Sequence, residues 1–124
     1  MRVTFTVGTV RVEAELNEST TAKKIAAALP LEAVGSYWGE EFYFAIPVKS
    51  GYEADAREVV EPGTVAFWVE GSCLCLFWGL TPASRGGECR AASKVNVVGR
   101  VADVSVLQSI RDRRVRVELA DDSG

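Results

Sequence analysis

The sequence predicts a mainly β protein, a closed barrel of about eight strands with one main helix. Apolar runs of strand length recur roughly every ten residues, with turn-forming residues between them. One segment, residues 20–29, has instead the spacing of an amphipathic helix. Residues 62–82 hold two apolar runs with one acidic and no basic residue, so these strands need cover on both faces. Closing the sheet into a barrel, with the helix over one end, covers such strands and removes their edges.

The N-terminal part of the chain predicts a hairpin followed by the helix. Residues 2–16 alternate between apolar and polar side chains around Gly8 and Thr9, which indicates two strands joined by a turn. Asn17 and the hydroxyl residues that follow it can supply the helix N-cap. We expect the helix to end before Pro30, at residue 29.

The rest of the chain predicts further strands and one short helix. An aromatic-rich strand region spans residues 37–48, and a polar surface loop spans 49–58. The later elements are expected as strands at 64–69 and 72–78, a loop at 81–88, a strand at 94–101, a short helix at 104–110 and a strand at 114–120. We expect a single domain over residues 1–120 and a frayed tail at 121–124.

Composition argues against several classes of partner. The chain has 124 residues, of which 17 are acidic and 14 basic, and its net charge is −3. Nucleic acids and anionic membranes both require concentrated positive charge, so neither is expected as a partner. The arginines between 111 and 116 are interrupted by Asp112, which indicates a solvated strand edge. No secretory leader and no run of membrane-spanning length is found, so we expect a cytoplasmic protein.

Three cysteines and no histidine predict neither a disulfide framework nor a metal site. Cys73 and Cys75 lie two apart in a predicted strand, so their side chains share a face and are expected as small buried hydrophobes. Cys89 lies in a glycine-rich polar loop and is expected to be the more exposed thiol. No metal and no cofactor is predicted.

Motifs in a fixed order resemble the cyclophilin fold along nearly the whole chain. They include Pro-Gly-Thr-Val-Ala-Phe at 62–67, Thr81-Pro82, and Val-Gly-Arg-Val at 98–101. The sequence is most similar to a prokaryotic group of small uncharacterised cyclophilin-like proteins. Two motifs carry this resemblance: Trp-Gly-Glu-Glu-Phe-Tyr-Phe at 38–44 and Leu-Cys-Leu-Phe-Trp-Gly at 74–79. The resemblance implies a cyclophilin-type barrel with no assigned activity.

This sequence differs from the prolyl isomerases of that family at positions that the resemblance aligns with their catalytic residues. The Phe-Tyr-Phe-Ala-Ile-Pro run at 42–47 fits the family's Phe-His-Arg-Val-Ile-Pro strand, which implies that Phe44 stands where the catalytic arginine would be. Cys73 replaces the glutamine of the family's Gly-Ser-Gln motif. Isomerisation must lower a barrier of about 18–20 kcal/mol, and phenylalanine offers no charged donor to do so. We therefore expect no catalytic residues and no prolyl isomerase activity.

Aromatic residues from three segments are the candidates for a binding pocket, because pockets are mostly apolar with a few polar anchors. Phe67 and Trp68 cannot both point inward, so one is expected in the core and the other towards a groove or a partner. Glu40 and Glu41 point to opposite faces if both lie in a strand, and Glu40 is the favoured anchor. The expected ligand-binding residues are Trp38, Glu40, Tyr43, Trp68, Phe77, Trp78 and Asn96. The alternatives are that the aromatics fill the barrel and that Asn96 ties down a loop.

Three functions remain open at this point. The first is a binding module that holds a small molecule or short peptide in an aromatic pocket. The second is an enzyme, either a divergent prolyl isomerase or one that uses Glu40 with Arg57 or Asn96. The third is a structural component whose exposed aromatics form a homo-oligomer interface.

Overall fold

The computed structural model describes residues 1–120, and the expected frayed tail at 121–124 lies outside these residues. The mainly β prediction is confirmed, with ten strands in the described part of the chain rather than about eight. The strands are β1 Arg2–Val7, β2 Val10–Leu16, β3 Leu31–Val34, β4 Ser36–Tyr37, β5 Glu41–Ala45, β6 Arg57–Val60, β7 Thr64–Trp68, β8 Cys73–Phe77, β9 Cys89–Val101 and β10 Arg114–Leu119. The helices are α1, Thr20–Ala27, and a 3₁₀ helix, Val104–Ser109.

The strands form one sheet that hydrogen bonds do not close within residues 1–120. Its order is β3-β10-β1-β2-β9-β7-β8-β5-β4, with β6 paired to β9 off this path. The two end strands are consecutive in the chain and are separated only by Gly35. A hairpin between neighbouring strands needs a loop of about two residues or more, so β3 and β4 cannot pair with each other. The predicted closed barrel is therefore not established by the strand pairing.

The predicted hairpin and helix are both present. Val7 pairs with Val10, which leaves Gly8 and Thr9 as the two-residue turn between β1 and β2. Ser19 caps α1 by accepting a hydrogen bond from the Ala22 amide at 3.2 Å. The helix ends at Ala27 rather than at residue 29, with Ala28 as its C-cap. The proline at position 30 disfavours helical backbone at residue 29.

The short helix expected at 104–110 is a 3₁₀ helix, Val104–Ser109. The Asp103 carboxylate caps it by accepting from the Ser105 amide at 3.1 Å, and Leu107 is its buried residue. No helix in residues 1–120 is long and apolar enough to cross a membrane.

β9 is longer than predicted and changes partners along its length. It begins at Cys89, five residues before the expected start, and its first half pairs with β6, which the sequence did not predict. Its second half pairs with β7 and β2. The expectation that Cys89 is the exposed thiol is wrong: it is 4% exposed, because it pairs with Val60 and is covered by β6.

Strand alternation in β5, β7 and β8 separates two apolar clusters on the two faces of the sheet. The larger cluster includes Phe5, Phe42, Phe44, Phe67, Leu74 and Leu76, with residues of α1 and the 3₁₀ helix. The second cluster includes Ala66, Cys73, Cys75, Phe77, Cys89, Ala91 and Val95. Phe67 belongs to the larger cluster while Trp68 packs against the second one, so the expectation that they point to opposite faces is confirmed.

Candidate functional site

The second cluster borders a cavity of about 250 Å³ between β5, the end of β7 and the first half of β9. Three aromatic residues and one carboxylic acid give it its chemical character. The residues that line it are Trp38, Glu41, Tyr43, Trp68, Ala91, Ala92 and Val95. This is the composition expected of a ligand pocket: apolar walls with one polar group.

Alternation along β5 brings the carboxyl of Glu41 and the phenol of Tyr43 to the same side. Glu41 pairs with Phe77 and Tyr43 pairs with Cys75, so both lie on the face of the second cluster. The intervening Phe42 packs in the larger cluster on the other face. The alternation of side chains along β5 therefore places Glu41 on the face that borders the cavity.

Trp68 is held in place from two sides. Its indole Nε1 donates a hydrogen bond to Ser93 Oγ at 2.6 Å, which joins the end of β7 to β9. Gly71 packs against the ring so closely that a Cβ atom there would lie 2.5 Å from Trp68 Cε3. One hydrogen bond and one close backbone contact thus fix the position of the Trp68 ring.

Glu41 is a buried acid in this cavity, with 6% of its surface exposed. Burial raises its pKa to about 7, because the charged carboxylate is deprived of water, while a hydrogen bond with Cys75 acts in the opposite direction. Burial and the nearby Glu41 charge also raise the pKa of Cys75 and Cys73. These thiols are neutral at pH 7 and cannot offset the carboxylate. Buried acids with raised pKa values in clefts are typical of functional sites.

Glu40 is hydrogen-bonded to the loop after β8. Its Oε1 accepts a hydrogen bond from the Leu80 amide at 3.1 Å, and its backbone bonds to Trp78 and Leu80. The side chain also passes close to Gly79. The structure therefore puts Glu41 in the cavity lining and Glu40, the anchor favoured from sequence, outside it.

Asn96 makes three hydrogen bonds that tie a loop to α1. Its Nδ2 donates to Thr21 Oγ1 at 3.1 Å and to the Gly51 carbonyl at 2.9 Å, while its Oδ1 accepts from the Glu53 amide at 2.9 Å. The residue is fully buried and does not line the cavity. This is the loop-tying role that the sequence left open as the alternative for Asn96.

Three of the seven predicted ligand-binding residues line the cavity, namely Trp38, Tyr43 and Trp68. Phe77 is fully buried within the second cluster. Trp78 packs against the larger cluster, with its ring centroid 6.4 Å from that of Tyr37 in an edge-to-face arrangement. The structure therefore separates the aromatics into a cavity group and a packing group.

The family is decided by comparison with known proteins. A family model described as Cyclophilin-like matches residues 1–118. The chain belongs to the Cyclophilin-like family. No curated protein gives a significant match.

Two solved structures are similar to this chain in fold. The chain is similar to the solution structure of the hypothetical protein AF2241 from Archaeoglobus fulgidus, with 38% identity and a TM-score of 0.82. That match covers 97% of this chain and 95% of the other. The structure of McbB in complex with tryptophan shares the fold, with 13% identity and a TM-score of 0.72 over 98% of this chain and 46% of that one.

Phe44, at the position that the resemblance aligns with the catalytic arginine of cyclophilins, lies in the larger core cluster of this cyclophilin-like chain. It is 1% exposed, and its ring centroid is 5.7 Å from that of Phe42 and 6.4 Å from that of Phe5. Arg57, the other charged candidate, begins β6 and pairs with Asp55 at the surface. Among the described residues that line the cavity there is no arginine.

The cavity also contains residues that sequence reasoning missed: Glu41, Ala91, Ala92 and Val95. The period-two rule could have found Glu41, since Tyr43 was already a candidate two residues away. Ala91 and Ala92 gave no such signal, because they fell in a segment that was not predicted as a strand. Val95 lay in the strand expected at 94–101, where nothing marked it as a site residue. Within residues 1–120, no group of three or more Cys, Asp or Glu side chains is placed to hold a metal ion.

Proposed function

We propose that this cyclophilin-like protein is a binding module that holds a small molecule or a short peptide in the cavity around Glu41, without prolyl isomerase activity. The observation that carries the proposal is the buried Glu41 carboxyl in a cavity lined by Trp38, Tyr43 and Trp68. Aromatic side chains provide a large contact area at low conformational cost, and one polar group can fix a ligand's orientation.

The size of the cavity limits what it accepts. Ligand pockets for drug-sized molecules run to roughly 300–1,000 Å³. A cavity of about 250 Å³ lies just below that range, so it suits a small metabolite or a single side chain of a peptide.

Isomerase activity is not expected, because the charge in the cavity has the wrong sign. Prolyl isomerisation in this fold depends on a cationic donor beside the amide, and the charged side chain here is that of Glu41. A protease-coupled assay on an X-Pro peptide should give the uncatalysed rate. A clear acceleration that is lost in Trp68→Ala would contradict this part of the proposal.

Binding can be tested with a thermal-shift screen of small molecules and short peptides. A ligand that binds only the folded protein at 100 times its Kd raises stability by about 2.7 kcal/mol. The variant Ala92→Leu puts a larger side chain in the cavity lining and should lose the response. The control Ala45→Leu makes the same change at an exposed position of β5 outside the lining, and should keep the response. No hit in a broad screen, or hits that Ala92→Leu leaves unchanged, would overturn the proposal.

A second candidate is an enzyme in which Glu41 acts as a general acid or base. The observation that favours it is a carboxyl whose pKa is raised by burial to about 7, close to the operating pH at which proton transfer is most efficient. Incubating the purified protein with each binding hit and following the hit by mass spectrometry tests it. Turnover that Glu41→Gln abolishes, with affinity retained, supports an enzyme, and an unchanged hit supports a binding module.

A further inference from the structure

We infer that the ligand carries a single positive charge, an ammonium or guanidinium group that meets the Glu41 carboxylate while its apolar part lies against Trp38, Tyr43 and Trp68. The inference rests on the proposed function, because it names the ligand class of the same cavity.

The first step concerns the charge that faces the cavity. Glu41 lies at the start of β5, and the phenol of Tyr43 on the same strand also lines the cavity. The other titratable groups packed near Glu41 are thiols: Cys73 and Cys75 on β8 and Cys89 on β9. All three have raised pKa values, that of Cys89 being about 11, so they are neutral at pH 7. The fields of Glu41 and Glu40 both act to raise the Cys89 pKa, which places two acids near this end of β9.

The second step concerns the cations that adjoin the cavity lining in β9. Lys94 directly precedes Val95, but it is exposed to solvent and does not line the cavity. Arg90 directly precedes Ala91 and Ala92, but its guanidinium is paired with Glu88 and, at 3.1 Å, with Glu58. Among the described lining residues there is no lysine or arginine. A ligand cation would therefore supply the counter-charge that the protein does not.

The third step concerns the aromatic side chains that line the cavity. A cation near the face of Trp or Tyr gains from the quadrupole of the ring, and the gain is larger when water is excluded. The bond from Trp68 to Ser93 fixes one of these rings in advance. An anionic ligand would be repelled by the Glu41 carboxylate, and a neutral one would offer it no opposite charge, so the acid would stay protonated instead of pairing with the ligand.

The cation could come from a free small amine or from a lysine or arginine side chain of a peptide, since both carry the same group on an apolar stem. Three small probes of one shape separate the charge states: benzylammonium, benzyl alcohol and benzoate. A capped lysine, N-acetyl-lysine amide, tests the peptide source.

Isothermal titration of each probe at pH 8 is the test. Benzylammonium should bind at least ten times more tightly than benzyl alcohol, and benzoate should bind more weakly than either. Glu41→Gln should remove the preference for the cation. The control Glu61→Gln removes the same charge from the exposed turn before β7, at the end of that strand away from Trp68, and should keep the preference.

The pH dependence gives an independent readout. Benzyltrimethylammonium does not titrate, so its affinity should fall by up to tenfold for each pH unit below 7 as Glu41 takes up a proton. Binding of the capped lysine as well would point to a peptide side chain, and binding of free amines alone would point to a small metabolite. Either result supports the inference.

Two results would overturn it. One is equal or tighter binding of benzyl alcohol or benzoate, and the other is no response to any ammonium probe. In both cases the proposed function would still stand if neutral or anionic hits from the thermal-shift screen were blocked by Ala92→Leu. A screen with no cavity hits of any charge would remove the proposed function itself.

Discussion

The indole of Trp68 donates to Ser93 Oγ at 2.6 Å, and this bond links the end of β7 to the bent first half of β9 across one wall of the cavity. Trp68 is also paired by backbone register with Cys73 on one side and Val95 on the other. The wall of the site is therefore part of the sheet rather than of a loop.

Removing that bond should loosen the cavity more than the fold. Ser93→Ala deletes the acceptor of the Trp68 indole, so a loss of about 1 kcal/mol of unfolding free energy is expected, with a weaker affinity for any cavity ligand. Ser109→Ala removes a surface hydroxyl that bonds to Val106 and is the matched control for affinity. Urea denaturation and ligand titration measure the two effects. Unchanged ligand affinity in Ser93→Ala would show that the bond does not shape the site.

Glu41 should make the protein less stable as pH rises. Its pKa is about 7 in the folded state against 4.5 unfolded, so between these values the folded state holds a proton that the unfolded state has lost. The contribution of Glu41 to the free energy of unfolding therefore falls by roughly 3 kcal/mol between pH 4.5 and pH 7. Above pH 7 it is constant.

The variant Glu41→Gln isolates this effect from other groups. Glu53 and Asp112 have lowered pKa values and so act in the opposite direction, losing stability as pH falls. Glu53 and Asp112 contribute equally in the variant and the wild type, so their effects cancel in the difference between the two unfolding free energies. We expect Glu41→Gln to be more stable than wild type at pH 8 and nearly equal to it at pH 4.5, by denaturant melts. A variant that is less stable at pH 8 would mean that the charged carboxylate has a stabilising partner.

Asn96 should matter for stability and not for the ligand. Asn96→Ala removes the acceptor of the Glu53 amide and the donor to the Gly51 carbonyl, so a loss of about 2–4 kcal/mol is expected. Hydrogen exchange at the Glu53 amide should accelerate first. If the variant folds at low temperature, its affinity for a cavity ligand should equal that of wild type. A selective loss of affinity would mean that Asn96 is a ligand-binding residue.

Gly99 lies where β9 passes from β7 to β2, and it should not tolerate a side chain. A Cβ atom there would lie 2.3 Å from the Glu15 carbonyl oxygen, so the two strands would have to separate. Gly99→Ala should cost about 1–3 kcal/mol in a denaturant melt. Gly87→Ala, where a Cβ atom meets nothing within 4 Å, should be nearly neutral. Equal stability of the two variants would mean that β2 and β9 move apart freely.

Much of the fold was predictable from local patterns. The alternation of residues 2–16 predicted the β1–β2 hairpin, and the opposite faces of Phe67 and Trp68 follow from the same rule. The sequence prediction missed β3, in the segment between the helix and the aromatic-rich strand region. It also missed the start of β9 and the existence of β6. Both lie in polar, glycine-containing sequence, and they form strands because they pair with each other over the second cluster, which is a tertiary effect.

The site was only partly predictable for the same reason. Trp38, Tyr43 and Trp68 were found because aromatic residues stand out in a sequence. Ala91 and Ala92 line the cavity through the bend of β9, and no composition signal marks an alanine as a wall. The choice between Glu40 and Glu41 depended on where β5 begins, and strand ends are the least certain part of any sequence-based assignment.

The central claim, that ligands bind in the cavity around Glu41, is tested most directly by the indole N–H resonances of the three tryptophans. Trp38 and Trp68 line the cavity, while Trp78 packs beside Tyr37 outside it, so one spectrum contains both site and control. During titration with a screening hit, the indole signals of Trp38 and Trp68 should shift with one common Kd while that of Trp78 stays fixed. A shift confined to Trp78, or no indole shift under a ligand that stabilises the protein, would contradict the account.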